Sequence, residues 1–353
     1  MGTDPTGMAL AAIDRIDDAV DMTRSFLLPF DGGRWARLAV IVFFLLGGSG
    51  GGSVFSTTGN APASAGSVPG DSIPEFSIEL PELTATAVAV VLGVIAVLVL
   101  LGLVVGAIGA IMEFVFVESL SSAEINVRAY FGHYIGRGLR LFAFRLVLGA
   151  VAFAIFGGAF LLLFGDVIAA LFAGEAVSPS IARIVVGVLV LLPLGFVVGI
   201  PVALANGFTT EFVVPIMLRE DRGVIAGWRR FWPTLTGQWK EYGAYVLVAF
   251  GLHIVTGIVG SIVLGIAAVA LLIPFAVVAV VVGVGALQGG VITAAAIAVL
   301  AVLFGAYLLV LFVAAAAIYV PIRVFHRQFA LLVLGDTNAD FDVLADRRPS
   351  GAD

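Results

Sequence analysis

Two glutamates stand near the ends of long apolar runs, where a charged side chain is costly unless it finds a partner. Glu113 and Glu211 each come one or two helical turns before a polar segment. Ionisable side chains at membrane depth form ion pairs or line a pathway. Arg145, one turn into the next apolar run, and Arg37 are the candidate partners of Glu113. We expect a structural ion pair near the lipid headgroups. A substrate or proton site and snorkelling to the interface are the alternatives.

Two further polar residues lie alone within apolar runs. Asn206 and His253 have no charged neighbour in their segments. A hydrogen bond to a neighbouring helix is the usual role of such a residue, so we expect it for both in preference to ligand binding. The chain has no cysteine, and its three histidines are spread along the sequence. No metal site and no cofactor is therefore predicted.

Two patterns resemble catalytic or ion-binding motifs but lack essential parts. Residues 47–51 satisfy G-x-S-x-G, yet the hydrolase motif needs a preceding strand, a following helix and a histidine partner. The segment 336–347 begins like a calcium loop but has Phe341 and Arg347 where the loop needs glycine and glutamate. We therefore expect that the protein is not an enzyme.

The segment 219–240 combines aromatic and basic side chains. Its apolar residues, from Ile225 to Trp239, recur at helical spacing on one face. Such a helix suits the headgroup plane of a membrane, with its rings at the boundary and its cations near anionic lipid. Nucleic-acid binding is excluded because the chain carries a net charge of −6. The predicted interfacial anchors are Trp228, Trp232, Trp239, Arg229 and Arg230.

Composition indicates a membrane protein. Hydrophobic residues make up 61% of the chain and charged residues 12%, whereas a soluble domain has about 25% charged residues. The stretch 242–322 contains no Asp, Glu, Lys or Arg, and a spanning helix needs only about 20 apolar residues. The apolar runs do not alternate with polar residues as barrel strands do, so they are read as helices.

The runs predict an all-α bundle of six membrane spans with amphipathic helices at the cytoplasmic side. An amphipathic helix over residues 8–28 precedes the first span, and Pro274 with residues 288–290 marks the turn between the last two. The cytoplasmic elbow helices are expected over 121–138 and 222–239. The predicted spans are 35–46, 85–116, 141–164, 184–208 and two within 242–322, with an external loop over 47–83.

The distribution of charge predicts the orientation. With six spans, every basic residue except Arg183 lies on one side of the membrane. The segments on the other side hold six acidic residues. Basic residues concentrate on the cytoplasmic side of membrane proteins. Both termini are therefore expected in the cytoplasm of a cell-membrane protein.

Short matches suggest a threefold repeat of two-span units. Glu-Phe-Val occurs where the second and the fourth predicted spans leave the membrane, at 113–115 and 211–213. The units are approximately 1–117, 118–218 and 219–322, and each has an even number of spans, so the repeat is parallel. Together they form one membrane domain, 1–335, followed by an acidic, loose cytoplasmic tail, 336–353.

Three segments resemble an uncharacterised family of haloarchaeal multi-pass membrane proteins. They are the stretches 12–20, 27–40 and 325–336, the last reading Phe-His-Arg-Gln-Phe-Ala-Leu-Leu-Val-Leu-Gly-Asp. More distantly, the elbow-then-span layout looks like the membrane domain attached to some bacterial glycerophosphodiester phosphodiesterases. The resemblance implies architecture and a halophilic archaeal host, with which the acidic, lysine-poor composition agrees. It implies no activity.

The expected function is non-enzymatic. We expect a membrane protein that organises lipid or a protein partner, with membrane lipids and either a second copy or another membrane protein as partners. A transporter or channel for a small solute or ion is the alternative. A water-filled cavity lined by Asn206, His253 or the glutamates favours transport, whereas a close-packed bundle favours the first function.

Overall fold

The computed structural model describes residues 5–48, 85–173, 180–288 and 294–347, which fold into helices joined by short turns. The apolar runs form helices because a backbone in lipid must satisfy its hydrogen bonds internally. The helices are α1 Pro5–Leu27, α2 Gly32–Gly48, α3 Ala85–Ser122, α4 Val127–Phe172, α5 Ile181–Phe208, α6 Val214–Glu220, α7 Val224–Gly237, α8 Trp239–Gln288 and α9 Ala294–Thr337. A π-helical turn, Thr209–Val213, joins α5 to α6, and 3-10 turns at Ala339–Phe341 and Ala345–Arg347 follow α9.

Among the described residues, five helices are long and apolar enough to cross a membrane, so the chain is an all-α, multi-pass type. Helix α2, which covers the predicted first span, has 17 residues and is not among the five. At about 1.5 Å per residue it is about 26 Å long. Apart from its first two residues, the predicted external loop lies outside the described residues. The five are Leu92–Ser122, Val127–Ala170, Ile181–Glu220, Trp239–Gly285 and Ala295–Thr337.

The helices are longer than the predicted spans. Helix α8 has 50 residues and runs through Pro274, so the prediction of a turn at this proline is wrong. A proline removes one helical hydrogen bond, whereas ending the helix in apolar surroundings would leave several backbone groups unsatisfied. The helix ends at Gln288, and residues 289–293 lie outside the described part.

The separate elbow helix predicted over 121–138 is absent from the described chain. The break falls earlier, at residues 123–126, and α4 then runs without interruption from Val127 into its apolar part. Of the glycines of this segment, Gly138 serves close packing, whereas Gly132 and Gly136 have open space beside them. A Cβ at Gly138 would lie 2.6 Å from the Ile111 Cα, which shows how near α3 and α4 approach.

The second predicted elbow does form a helix of its own, α7, which ends before Gln238. Its buried face differs from the predicted stripe. Val224, Gly227 and Phe231 are buried, whereas Trp232 is 56% exposed. The reason is tertiary, because Phe231 stacks on Phe212 with 5.5 Å between ring centroids.

The molecule has two regions, which we call the base and the distal limbs. The base comprises residues 15–46, 105–145, 205–260 and 312–347, and it holds both clusters of buried apolar side chains. One cluster centres on Phe212, Phe231, Tyr242 and Phe329, and the other on Phe26, Leu38, Phe116 and Val320.

The distal limbs are the remaining described parts of the long helices, 92–104, 146–173, 180–204, 261–285 and 295–311. Among their described residues only Gly187 and Leu264 are buried. Contacts between limbs are local, as where the Gly187 backbone meets the Phe164 ring and where the Tyr307 hydroxyl donates to the Ala268 carbonyl.

The predicted loose tail is packed against the base as far as residue 347. Phe341 and Leu344 are buried, and Arg347 donates to the Leu120 carbonyl at 2.5 Å. Arg219 donates to the Asp342 carbonyl. The acidic composition suggested a solvated segment, but two apolar side chains anchor it, and residues 348–353 lie outside the described part.

Candidate functional site

An ionic network lies inside the base, built from three of the long helices. Glu113 on α3 is 3% exposed and is held by two arginines. Arg145 on α4 places its Nη2 3.2 Å from Glu113 Oε1, and Arg327 on α9 donates its Nη2 to Glu113 Oε2. Each carboxylate oxygen of Glu113 therefore has its own guanidinium, the arrangement that a buried charge requires.

Arg327 joins the two glutamates. It is 3% exposed, and its Nη1 lies 3.3 Å from Glu211 Oε2. The same nitrogen donates to the Thr210 carbonyl. A guanidinium presents a planar fork of donors, which suits a position between two carboxylates.

The π-helical turn between α5 and α6 supplies further polar groups to the network. In Thr209–Val213 the hydrogen bonding shifts to i→i+5, as shown by the Val214 N–H donating to the Thr209 carbonyl. Thr210 gives its carbonyl to Arg327 and accepts a 2.6 Å hydrogen bond from Arg145 on its hydroxyl. Such single-turn π-bulges are frequent at functional sites.

A pair of histidines lies beside this network, between α8 and α9. The rings of His253 and His326 have centroids 4.0 Å apart. The His326 Nε2 is 2.9 Å from the Thr256 hydroxyl, and the His253 Nδ1 is 2.7 Å from the Ala249 carbonyl. Glu211 interacts electrostatically with His253, which connects the pair to the ionic network.

Several buried polar atoms of the site have no hydrogen-bond partner among the described residues. They are Arg145 Nη1, Asn206 Oδ1 and Glu211 Oε2, the last of which faces Arg327 only as an ion pair. Arg323, one helical turn from Arg327, interacts electrostatically with both glutamates but has no hydrogen bond or ion pair to a described residue. The site thus contains more charge and more donors than it satisfies internally.

The structure brings some of the sequence-predicted residues together and separates others. The Glu113–Arg145 contact is present, and Glu211 joins it through Arg327. Arg37 is elsewhere, donating to the Ile125 carbonyl at 3.2 Å.

The hydrogen bonds expected between helices take another form. The one recorded for His253 stays within α8, and across the helix boundary this residue meets a ring instead. The Asn206 Oδ1 has no partner among the described residues. Helices in lipid also approach through close packing, so the hydrogen-bond partner of a lone polar residue cannot be predicted from the sequence.

Three residues of the site were not predicted from the sequence, because they follow the last apolar run: Arg323, His326 and Arg327. One signal was available. Arg323 and Arg327 have i, i+4 spacing, which places both on one helix face.

The predicted interfacial anchors divide into two groups. Trp228 faces inward and donates its Nε1 to the Thr209 hydroxyl at 2.9 Å. Arg230 lies over the Phe341 ring and pairs with Glu220 and Asp340. The remaining anchors, Trp232, Trp239 and Arg229, are exposed.

No group of three metal-ligating side chains occurs among the described residues. Comparison with curated proteins and with solved structures gives no match. A family of unknown function, DUF7544, matches residues 10–344, nearly the whole chain. The chain, whose described residues form helices with five candidate membrane spans, is therefore a member of DUF7544, a family of unknown function.

Proposed function

We propose that this protein is a non-enzymatic integral protein of the cell membrane that organises lipid or a protein partner. The observation that carries the proposal is the apolar surface of the distal limbs. Phe153 and Leu162 on α4 are 78% and 90% exposed, and the other limbs resemble α4. Large exposed apolar surfaces mark contact with a membrane or another protein. Lipid, a second copy of the chain or another membrane protein would cover them.

A photo-crosslinking amino acid at Leu162 tests this proposal. Labelling in native membranes is expected to capture lipid or one discrete membrane partner, because this side chain projects from a limb. The same amino acid at Phe231, which is fully buried in the base, is the matched control and gives only intramolecular products. If the photo-activated group at position 162 reacted only with water or a water-soluble quencher, the proposal would be contradicted.

The proposal includes six spans, with α2 as the first, and both termini in the cytoplasm. It is supported by the common location of the polar helix ends in the base and by Arg183, the one basic residue assigned outside, which pairs with Asp166 in a limb at 2.6 Å. In each of the three units 1–117, 118–218 and 219–322, the described residues toward both ends include residues of the base. The resemblance to haloarchaeal proteins supports a halophilic archaeal host.

Single cysteines test this topology, since the chain has none of its own. Cysteines at Ser67, Ser178 and Gln288 are expected to react with an impermeant thiol reagent in intact cells. A cysteine at Thr337 is the inside control. Labelling of the Thr337 position alone would reverse the orientation.

A transporter or channel for a small solute or ion is the second candidate. It is favoured by the π-helical turn and by the buried, unpartnered atoms of Asn206, Glu211 and Arg145 beside a histidine pair. Chains of carboxylates and histidines in membranes conduct protons. Reconstituted vesicles distinguish the two candidates. A proton or ion flux through the parent protein that Glu211→Gln abolishes would favour the transporter over the first candidate. Equal leakage through the parent protein and the variant would support the first candidate.

A further inference from the structure

Among the described residues of the network, Arg323 is the arginine without a carboxylate of its own. Arg145 and Arg327 form ion pairs with Glu113 and Glu211, and Arg323 interacts electrostatically with both carboxylates without pairing with either. Arginine keeps its charge in proteins. Both glutamates are already engaged, Glu113 by two arginines and Glu211 by Arg327. One positive charge is therefore left over in a largely apolar environment, where an uncompensated ion is unstable.

The direction of Arg323 follows from its neighbours on α9. Tyr319 and His326 contact α8, at Gly260 and Thr256. Val320 and Val324 belong to the buried cluster with α2 and α3. Arg323 lies between these two faces and is aligned with Arg327 one turn away. As a whole residue Arg323 is only partly buried.

Two more donors of the base have no acceptor among the described residues. The Tyr319 hydroxyl interacts electrostatically with Arg323 and has no hydrogen-bond partner among the described residues. On the other side of the network, Arg145 Nη1 is buried and unpartnered. An oxyanion would accept hydrogen bonds from these donors and neutralise the positive charge.

We propose that Arg323, with the Tyr319 hydroxyl, binds a phosphate group at the inner end of the apolar part of α9. A guanidinium fork matches the spacing of two phosphate oxygens. The phosphate can come from a lipid headgroup or from free inorganic phosphate. The lipid source would deepen the proposed function, on which it rests, by naming the lipid class that is organised.

The variant Arg323→Gln tests the site, with Arg140→Gln as the matched control. Arg140 lies on α4, is exposed, and has no hydrogen bond or ion pair to a described residue, so both variants lose one arginine charge. Thermal unfolding is followed in neutral detergent, then with added phosphatidylglycerol, phosphatidylcholine or inorganic phosphate.

The expected result has two parts. In neutral detergent without phosphate, Arg323→Gln unfolds at a higher temperature than the parent protein, because an unpaired charge is removed. The apparent affinity for the phosphate-bearing ligand falls about tenfold or more in this variant and stays within about twofold in Arg140→Gln. Stabilisation by phosphatidylglycerol and not by inorganic phosphate identifies a lipid, and the reverse identifies free phosphate.

Two outcomes overturn the proposal. One is lower stability of Arg323→Gln in neutral detergent, which means that the side chain is engaged within the protein. The other is equal stabilisation of parent and variant by every ligand. Either outcome leaves the crosslinking from Leu162 unaffected, so failure of the phosphate site and failure of the proposed function are separable.

Discussion

The base and the distal limbs are made largely from the same long helices, yet side chains are packed closely in the base and are mostly exposed in the limbs. In α4 the residues up to Arg145 pack against α3 at Gly138, pair with Asp221 and reach the ionic network, whereas those after it project aliphatic and aromatic side chains outward. The base is packed like a soluble core, with aromatic clusters and paired charges. Lipid offers no hydrophobic force for bringing apolar helices together, so the limbs remain apart unless small residues or polar contacts join them. Apolar composition alone therefore does not predict burial in this chain.

The largest expected effect comes from breaking the network that only the base contains. Arg327→Gln leaves Glu211 without an ion pair and Glu113 with one, both in buried surroundings. The free energy of unfolding is expected to fall by about 3–5 kcal/mol. Denaturant titration in mixed micelles measures it.

A matched charge removal in a limb is the control. Arg183→Gln breaks the ion pair with Asp166, in which the two side chains are 40% and 64% exposed. The free energy of unfolding is expected to fall by about 0–1 kcal/mol. Equal losses in the two variants would mean that base and limbs do not differ in this respect.

Two glycines of α4 sharpen the comparison. Gly138→Ala places a Cβ within 2.6 Å of the Ile111 backbone and is expected to destabilise by about 1–3 kcal/mol. Gly149→Ala meets nothing within 4 Å in the limb and is expected to stabilise by up to about 1 kcal/mol through helix propensity. Thermal unfolding of both variants measures the contrast, and a shift of the same sign in both would show that α3 and α4 do not approach as described.

A smaller coupling is expected between Glu113 and Arg145. Glu113→Gln and Arg145→Gln should each lower stability, and the double variant should recover part of the loss, with a coupling of about 0.5–3 kcal/mol. Arg327 continues to hold Glu113 when Arg145 is changed, so the coupling is expected toward the lower end. A double-mutant cycle in detergent measures it, and strict additivity would exclude an interaction.

The smallest effect on stability is expected at the exposed surface of α7. A spin label at Trp232 is expected to report lipid, one at Arg229 water, and one at Trp228 a restricted interior. Relaxation by oxygen and by a water-soluble nickel complex separates the three. Equal water exposure at Trp232 and Arg229 would contradict an interfacial position for this helix.

Part of the fold was predictable because it depends on composition. Runs such as 242–322 have no charged residue and are far too long for one crossing, so membrane helices follow from the backbone's need for internal hydrogen bonds. The ends of these helices were less predictable, since Pro274 lies inside α8, and α4 continues without a break from the predicted elbow 121–138 into the predicted span 141–164. A proline marks a break only when no other constraint maintains the helix.

The candidate site was only partly predictable. Glu113 and Arg145 could be paired from sequence because adjacent antiparallel helices bring their ends together at one depth. Arg327 could not, since it is 214 residues from Glu113 and enters through the packing of α9 against α3.

By itself, the sequence determined that the chain is an all-α membrane protein, where its apolar runs lie, and which charges are too costly to leave unpaired in lipid. Only the tertiary structure decided which parts of those runs are buried, which arginines reach Glu113 and Glu211, and that Arg323 has no carboxylate of its own. The physical reason is that the cost of a charge or of apolar surface is local in sequence, whereas the partner that offsets it is chosen by packing between distant helices.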